Sequence, residues 1–120
     1  MNFFEGDLKG GTFTKGDLSV PMEGYDFITA HTTDCRAIFG VRPEHIVTGE
    51  LVTRARVQAS VTIDLVEPMG SDTLVYAKLA GENFRIRMDG QAKVKIGDQL
   101  RVGIDPTRAS LFDAATENRL

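Results

Sequence analysis

Between residues 57 and 65 the chain alternates with a period of two. Val57, Ala59, Val61, Ile63 and Leu65 are apolar, and Gln58, Ser60, Thr62 and Asp64 between them are polar. Successive strand side chains point to opposite faces, so this pattern sets one apolar row against a core and one polar row in solvent. The period returns at Phe84, Ile86 and Met88 against Arg85, Arg87 and Asp89, and again at Leu100, Val102 and Ile104. Between these runs stand residues that break a ladder or permit a tight turn: Pro68 with Gly70-Ser71-Asp72, Gly81-Glu82-Asn83, Asp89-Gly90, Gly97-Asp98 and Asp105-Pro106.

The remaining segments fit the same scheme. Thr73 to Leu79 reads as a returning strand, Val94 and Ile96 lead into the Gly97-Asp98 turn, and Ser110-Leu111-Phe112 is a short last strand. Nearer the N-terminus, Leu8 to Phe13 and Leu18 to Val20 flank Lys15-Gly16-Asp17 as a hairpin. Ile38-Phe39-Gly40-Val41 forms a strand stopped at Arg42-Pro43, because proline disfavours the helical region for its predecessor. No window shows a convincing 3.6-residue period, so helix should be scarce. Roughly eight to ten short strands predict an all-β barrel or sandwich. At 120 residues, one domain spanning 1–120 is expected.

Composition narrows the function classes. Net charge is −3, which argues against nucleic acid as a partner. Charge is uneven: residues 1–35 carry two basic and six acidic side chains, residues 73–101 six basic and three acidic. Arg85 and Arg87 share one strand face near Tyr76, yet the absence of Trp and the inward phase of Phe84 weigh against a base-stacking groove. The single Cys35 excludes an internal disulfide and fits a reducing compartment. Apolar stretches are far short of the ~20 residues a spanning helix needs, so a soluble domain is expected.

No catalytic constellation stands out. Gly11 and Gly16 have the outer spacing of a phosphate-binding loop, but Asp17-Leu18 stands where that loop needs Lys and then Ser or Thr. A hairpin turn is the better reading. His31, Asp34 and Cys35 are the one cluster of potential metal ligands, with His45 more distant. Three ligand types in a polar loop fall short of a closed zinc set, and Cys35 has no context that would lower its pKa. No cofactor is expected in this chain.

Three segments, taken together, resemble one family. Gly40-Val41-Arg42-Pro43-Glu44-His45-Ile46 is similar to the strand-end motif in the C-terminal domain of sugar-importer ATPases of the maltose and glycerol-3-phosphate ABC-transporter type. Val66-Glu67-Pro68-Met69-Gly70-Ser71-Asp72-Thr73 resembles the next hairpin of that family, and Ile96 to Pro106, Leu111-Phe112-Asp113 and Arg119-Leu120 its closing strands. Met1-Asn2-Phe3 resembles the residues that follow the ATPase domain. Residues 22–37 match loosely, and Ser110 and Asn118 replace the usual His and Gly.

The resemblance implies an all-β OB-fold-type barrel of short antiparallel strands with an additional small β-unit, the TOBE domain. It implies a piece of a longer protein that lacks the upstream ATPase domain, where ATP and Mg would bind. The parent would be a homodimer through this domain, peripheral on the inner face of the bacterial cell membrane and joined to the membrane subunits through its ATPase domain. A regulatory protein is a further possible partner. Arg42, Pro43, Glu44, His45, Asp105 and Pro106 are the expected subunit or regulator contacts. From the residues alone, Arg42-Pro43 ends a strand, Glu44 can pair with Arg42 or His45, and Asp105-Pro106 is first of all a turn. The competing reading is a stand-alone OB-type barrel that binds a small oxyanion or oligosaccharide.

Overall fold

The structure is a computed structural model that describes residues 1–25, 27 and 34–120. Its strands are β1 (Asn2–Lys9), β2 (Thr12–Lys15), β3 (Leu18–Pro21), β4 (Cys35–Val41), β5 (Val47–Thr48), β6 (Val57–Thr62), β7 (Leu65–Pro68), β8 (Asp72–Leu79), β9 (Glu82–Asp89), β10 (Gln99–Ile104) and β11 (Ser110–Asp113). Helix is confined to 3₁₀ turns at Pro43–His45, Gly49–Arg54 and Pro106–Arg108 among the described residues. Antiparallel pairing gives a five-stranded sheet in the order β11-β4-β1-β2-β3 and three-stranded sheets β5-β10-β6 and β7-β8-β9. The fold is all-β and of OB type, with β7–β9 as a separate three-stranded sheet.

One continuous core joins the sheets. Phe4, Phe13, Phe39 and Phe84 are fully buried, drawn from β1, β2, β4 and β9. Phe13 stacks on Phe39 at 5.4 Å between ring centroids, and Phe4 lies 6.0 Å from Phe84. Such pairs are worth about 0.5–1.5 kcal/mol beyond the area they bury. Val57, Val61, Ile63, Ile86, Val102 and Ile104 face the same core, as their alternation predicts.

Two expectations need correction. Leu65 does not continue the buried row: it is 47% exposed. The chain leaves the sheet of β6 after Thr62, and Ile63–Asp64 carries it to β8, where the Asp64 amide donates to the Tyr76 carbonyl at 2.8 Å. The crossover breaks the two-residue phase. Finally, Leu8 to Phe13 is not one strand. It contains the end of β1, a turn at Gly10-Gly11 with φ of 58° and 79°, and the start of β2. The Lys15-Gly16-Asp17 turn is as expected, so Gly11 and Gly16 bracket a strand rather than a phosphate loop.

Candidate functional site

Arg42 leaves β4 in extended conformation, with φ −75° and ψ 144°, and Pro43 then opens a 3₁₀ turn. Proline at the first position fits, since that amide has no partner in the turn. The turn is closed by the His45 amide, which donates to the Arg42 carbonyl at 3.0 Å. Its outer side faces the β8–β9 hairpin. Arg42, Glu44, Leu74, Arg85 and Arg87, together with Met1, line an open depression of about 430 Å³. Because β9 alternates, Arg85 and Arg87 both point outward while Phe84 and Ile86 point into the core.

The hairpin side of the depression is braced. Asn2, only 3% exposed, holds the Arg85 backbone from both sides: its Nδ2 donates to the Arg85 carbonyl and its Oδ1 accepts from the Arg85 amide, each at 2.8 Å. Tyr76 is the cross-strand partner of Arg85, and the guanidinium sits 5.8 Å from its ring centroid. Arg87 Nε lies 3.9 Å from Asp72 Oδ2, an exposed pair of little energetic weight. The Glu44 carboxyl titrates below its ordinary range, chiefly because it accepts from its own backbone amide, with smaller help from the charges of Arg87, Arg42 and His45. Among the described residues it makes no ion pair within 4.0 Å, so the expected Glu44 pairing with Arg42 or His45 is absent. His45 Nδ1 is buried without a hydrogen-bond partner among the described residues.

Asp105 and Pro106 lie elsewhere. Asp105 accepts from the Thr107 hydroxyl at 2.7 Å and from the Thr107 amide at 3.0 Å, capping the Pro106–Arg108 turn. It borders a second depression with Val47, Leu51, Arg54 and Arg56. The six expected contact residues therefore divide between two places. Of the metal-ligand cluster, His31 lies outside the described residues. Asp34 Oδ1 accepts from the Gly10 amide at 3.0 Å, and Cys35 is half-buried in β4. Burial, then the charges of Asp113 and Asp34, raise its pKa, which disfavours the thiolate.

A third feature escaped the sequence reading. On the outer face of the five-stranded sheet, Phe3, Ile38 and Phe112 form an apolar patch rimmed by Glu117, with a hollow of about 360 Å³. Phe3 is 53% exposed. It lies opposite Gly40, and a Cβ there would stand 2.9 Å from Met1 Sδ and 3.1 Å from the Phe3 ring. The missing side chain lets both residues settle on the sheet. Met1 thus joins the apolar patch to the arginine-lined depression. The one sequence signal for it was Phe3 and Phe112 in the wrong phase for the core.

A family model for the TOBE domain matches residues 39–112, and one for the MalK OB fold domain matches residues 1–46. The chain belongs to the TOBE domain family. It is 40% identical over its whole length to the sulfoquinovosyl glycerol transport ATP-binding protein SmoE of Agrobacterium fabrum, covering 33% of that protein. It is 32% identical, again over its whole length, to the oligosaccharides import ATP-binding protein MsmX of Bacillus subtilis, covering 34%. The sn-glycerol-3-phosphate import ATP-binding protein UgpC of Cupriavidus pinatubonensis is 36% identical over 70% of this chain and 22% of its own length. This TOBE chain spans about a third of the length of the curated relatives that match it end to end. Among the described residues, no helix is long and apolar enough to cross a membrane.

Proposed function

We propose that this chain is the non-catalytic pairing and regulatory domain of an ABC importer's ATP-binding subunit, one that energises uptake of a sugar, polyol or glycerol phosphate. The relatives' names support the importer class. The observation that carries the pairing role is the apolar triad of exposed Phe3 and half-buried Ile38 and Phe112 on the face of a sheet whose other face is core. A symmetric dimer reuses one patch on both subunits, and a self-complementary apolar face suits that arrangement. The Arg42–His45 turn flanks this face across Met1 and serves as a polar edge of the contact.

In this reading ATP and Mg bind in the ATPase domain of the parent, on the cytoplasmic side of the membrane, and the membrane subunits contact that domain. This chain contributes the surface that keeps two subunits together while their catalytic halves move. The stand-alone oxyanion- or sugar-binding barrel leaves the apolar face unused. Calorimetry of the chain with Mg-ATP tests the non-catalytic claim: no saturable heat is expected. A micromolar dissociation constant would overturn it.

A further inference from the structure

We infer that the ion cluster of Glu5, Arg36 and Asp7, on the same sheet face as Phe3 and Ile38, selects a second copy of this chain as the partner. In the pair, Arg36 of each copy reaches the partner's Asp7. The inference rests on the pairing reading above and adds to it the direction of the two-fold axis and the residues that set specificity.

Strands β1 and β4 are neighbours in the five-stranded sheet, and their register sets Phe3 beside Gly40, Glu5 beside Ile38 and Asp7 beside Arg36. Phe3, Glu5 and Asp7 lie on the outward row of β1, as Arg36 and Ile38 do on β4. The Arg36 guanidinium is 3.3 Å from Asp7 Oδ1 and 3.6 Å from Glu5 Oε2, with about half of each side chain exposed. Within a single chain such exposed pairs carry little energy. Between two sheets the same charges lose water, and the sign of the facing group then decides whether the copies associate. Two carboxylates also offer more acceptor positions than one guanidinium uses, which leaves room for a second.

Sheets packed face to face lie about 10 Å apart, with strands aligned to within about 30°. A two-fold axis in the plane between them then runs either across the strands or along them. Placed across the strands, midway between Ile38 and Gly40, it sets Arg36 against the partner's Arg42, and like charges repel. Placed along the strands, between β1 and β4, it exchanges the two strands. Arg36 then faces the partner's Asp7, and Asp7 faces the partner's Arg36. Each Phe3 ring lies against its own Gly40, so the two rings meet near this axis. Both charge pairs are reciprocal, as a self-complementary interface requires. The apolar triad supplies buried area, and the ion pairs reject a surface with the wrong charge pattern.

Charge reversal tests this in a way that an intrachain role cannot imitate. Sedimentation equilibrium is run on Asp7→Arg, on Arg36→Asp and on their equimolar mixture, at roughly tens to hundreds of micromolar. Each variant alone sets like charges against like at both pairs, and its self-association should weaken about tenfold. In the mixture the two charge patterns are opposite again, and association should return to within about threefold of wild type. Were the cluster to act only within one chain, each variant would keep its own defect and mixing would restore nothing. Both positions are partly exposed, so the variants should fold, and Tm reports whether they do. Should either misfold, Asp7→Lys with Arg36→Glu repeats the test. A wild-type chain that pairs while either variant pairs equally well, or while the mixture associates no better than its components, would overturn this inference and leave pairing standing. A wild-type chain that stays at 13.2 kDa would overturn both.

Discussion

Asn2 and Arg85, 83 residues apart in sequence, are joined by two 2.8 Å hydrogen bonds between the Asn2 amide side chain and the Arg85 backbone. The pair ties the first strand of the five-stranded sheet to β9, the edge strand of the β7-β8-β9 sheet. It also explains a buried polar side chain at the position where a core strand would otherwise carry an aliphatic one.

Asn2→Ala should leave the part-buried Arg85 amide and carbonyl without the partners that Asn2 supplies. A loss of about 1–3 kcal/mol is expected, read from the urea midpoint at unchanged slope. Asn2→Asp should be nearly as damaging, since a carboxylate cannot donate to the carbonyl. Stability within about 0.5 kcal/mol of wild type would mean that water replaces the side chain.

The phase of β6 is open to a paired test. Val61 is 2% exposed, whereas its neighbour Thr62 faces solvent and accepts from Gln99. Val61→Lys buries an unpaired ammonium and should cost several kcal/mol, while Thr62→Lys should cost about 0.5 kcal/mol or less. Equal shifts in Tm would show the strand to be out of phase.

These two predictions mark how much was legible in advance. The rows at Val57–Ile63, Phe84–Ile86 and Val102–Ile104 could be read because burial there follows hydropathy. Strand β1 could not, because its inward row mixes Asn2 and Gly6 with Phe4 and Leu8, while Phe3 faces out. Gly6 is small because any side chain would run into the β2 backbone at Thr14, a packing fact without a local signal. Leu65 was misplaced because a change of sheet leaves no mark on a period of two. At the site, the Arg42-Pro43-Glu44 turn and the outward Arg85 and Arg87 were each visible. Their meeting depends on the packing of β9 against the turn, which spacing does not encode.

Asp105 provides a pH-dependent test. The Thr107 hydroxyl, then the Thr107 amide and the charges of Arg56 and Arg108, hold its carboxyl below the ordinary range. A depressed folded pKa means that the stabilisation is present above the unfolded value and is lost as pH falls through the folded one. Asp105→Ala should cost about 1 kcal/mol at neutral pH through loss of the turn cap. The difference between wild type and Asp105→Asn should shrink as pH drops from about 5 to about 3. A difference that stays constant over that window would rule out the carboxylate charge as its source.

The central claim is that the outer face bearing Phe3, Ile38 and Phe112 pairs two copies of this chain. Cut off from an ATPase domain, such a dimer loses the avidity of a second contact and should be weak. Sedimentation equilibrium at roughly tens to hundreds of micromolar reads it directly. The account predicts a mass that rises with concentration from 13.2 kDa towards twice that value, and a Phe3→Glu variant that stays at 13.2 kDa with an unchanged Tm. A wild-type chain that remains at 13.2 kDa throughout, or a Phe3→Glu variant that associates as the wild type does, would contradict it.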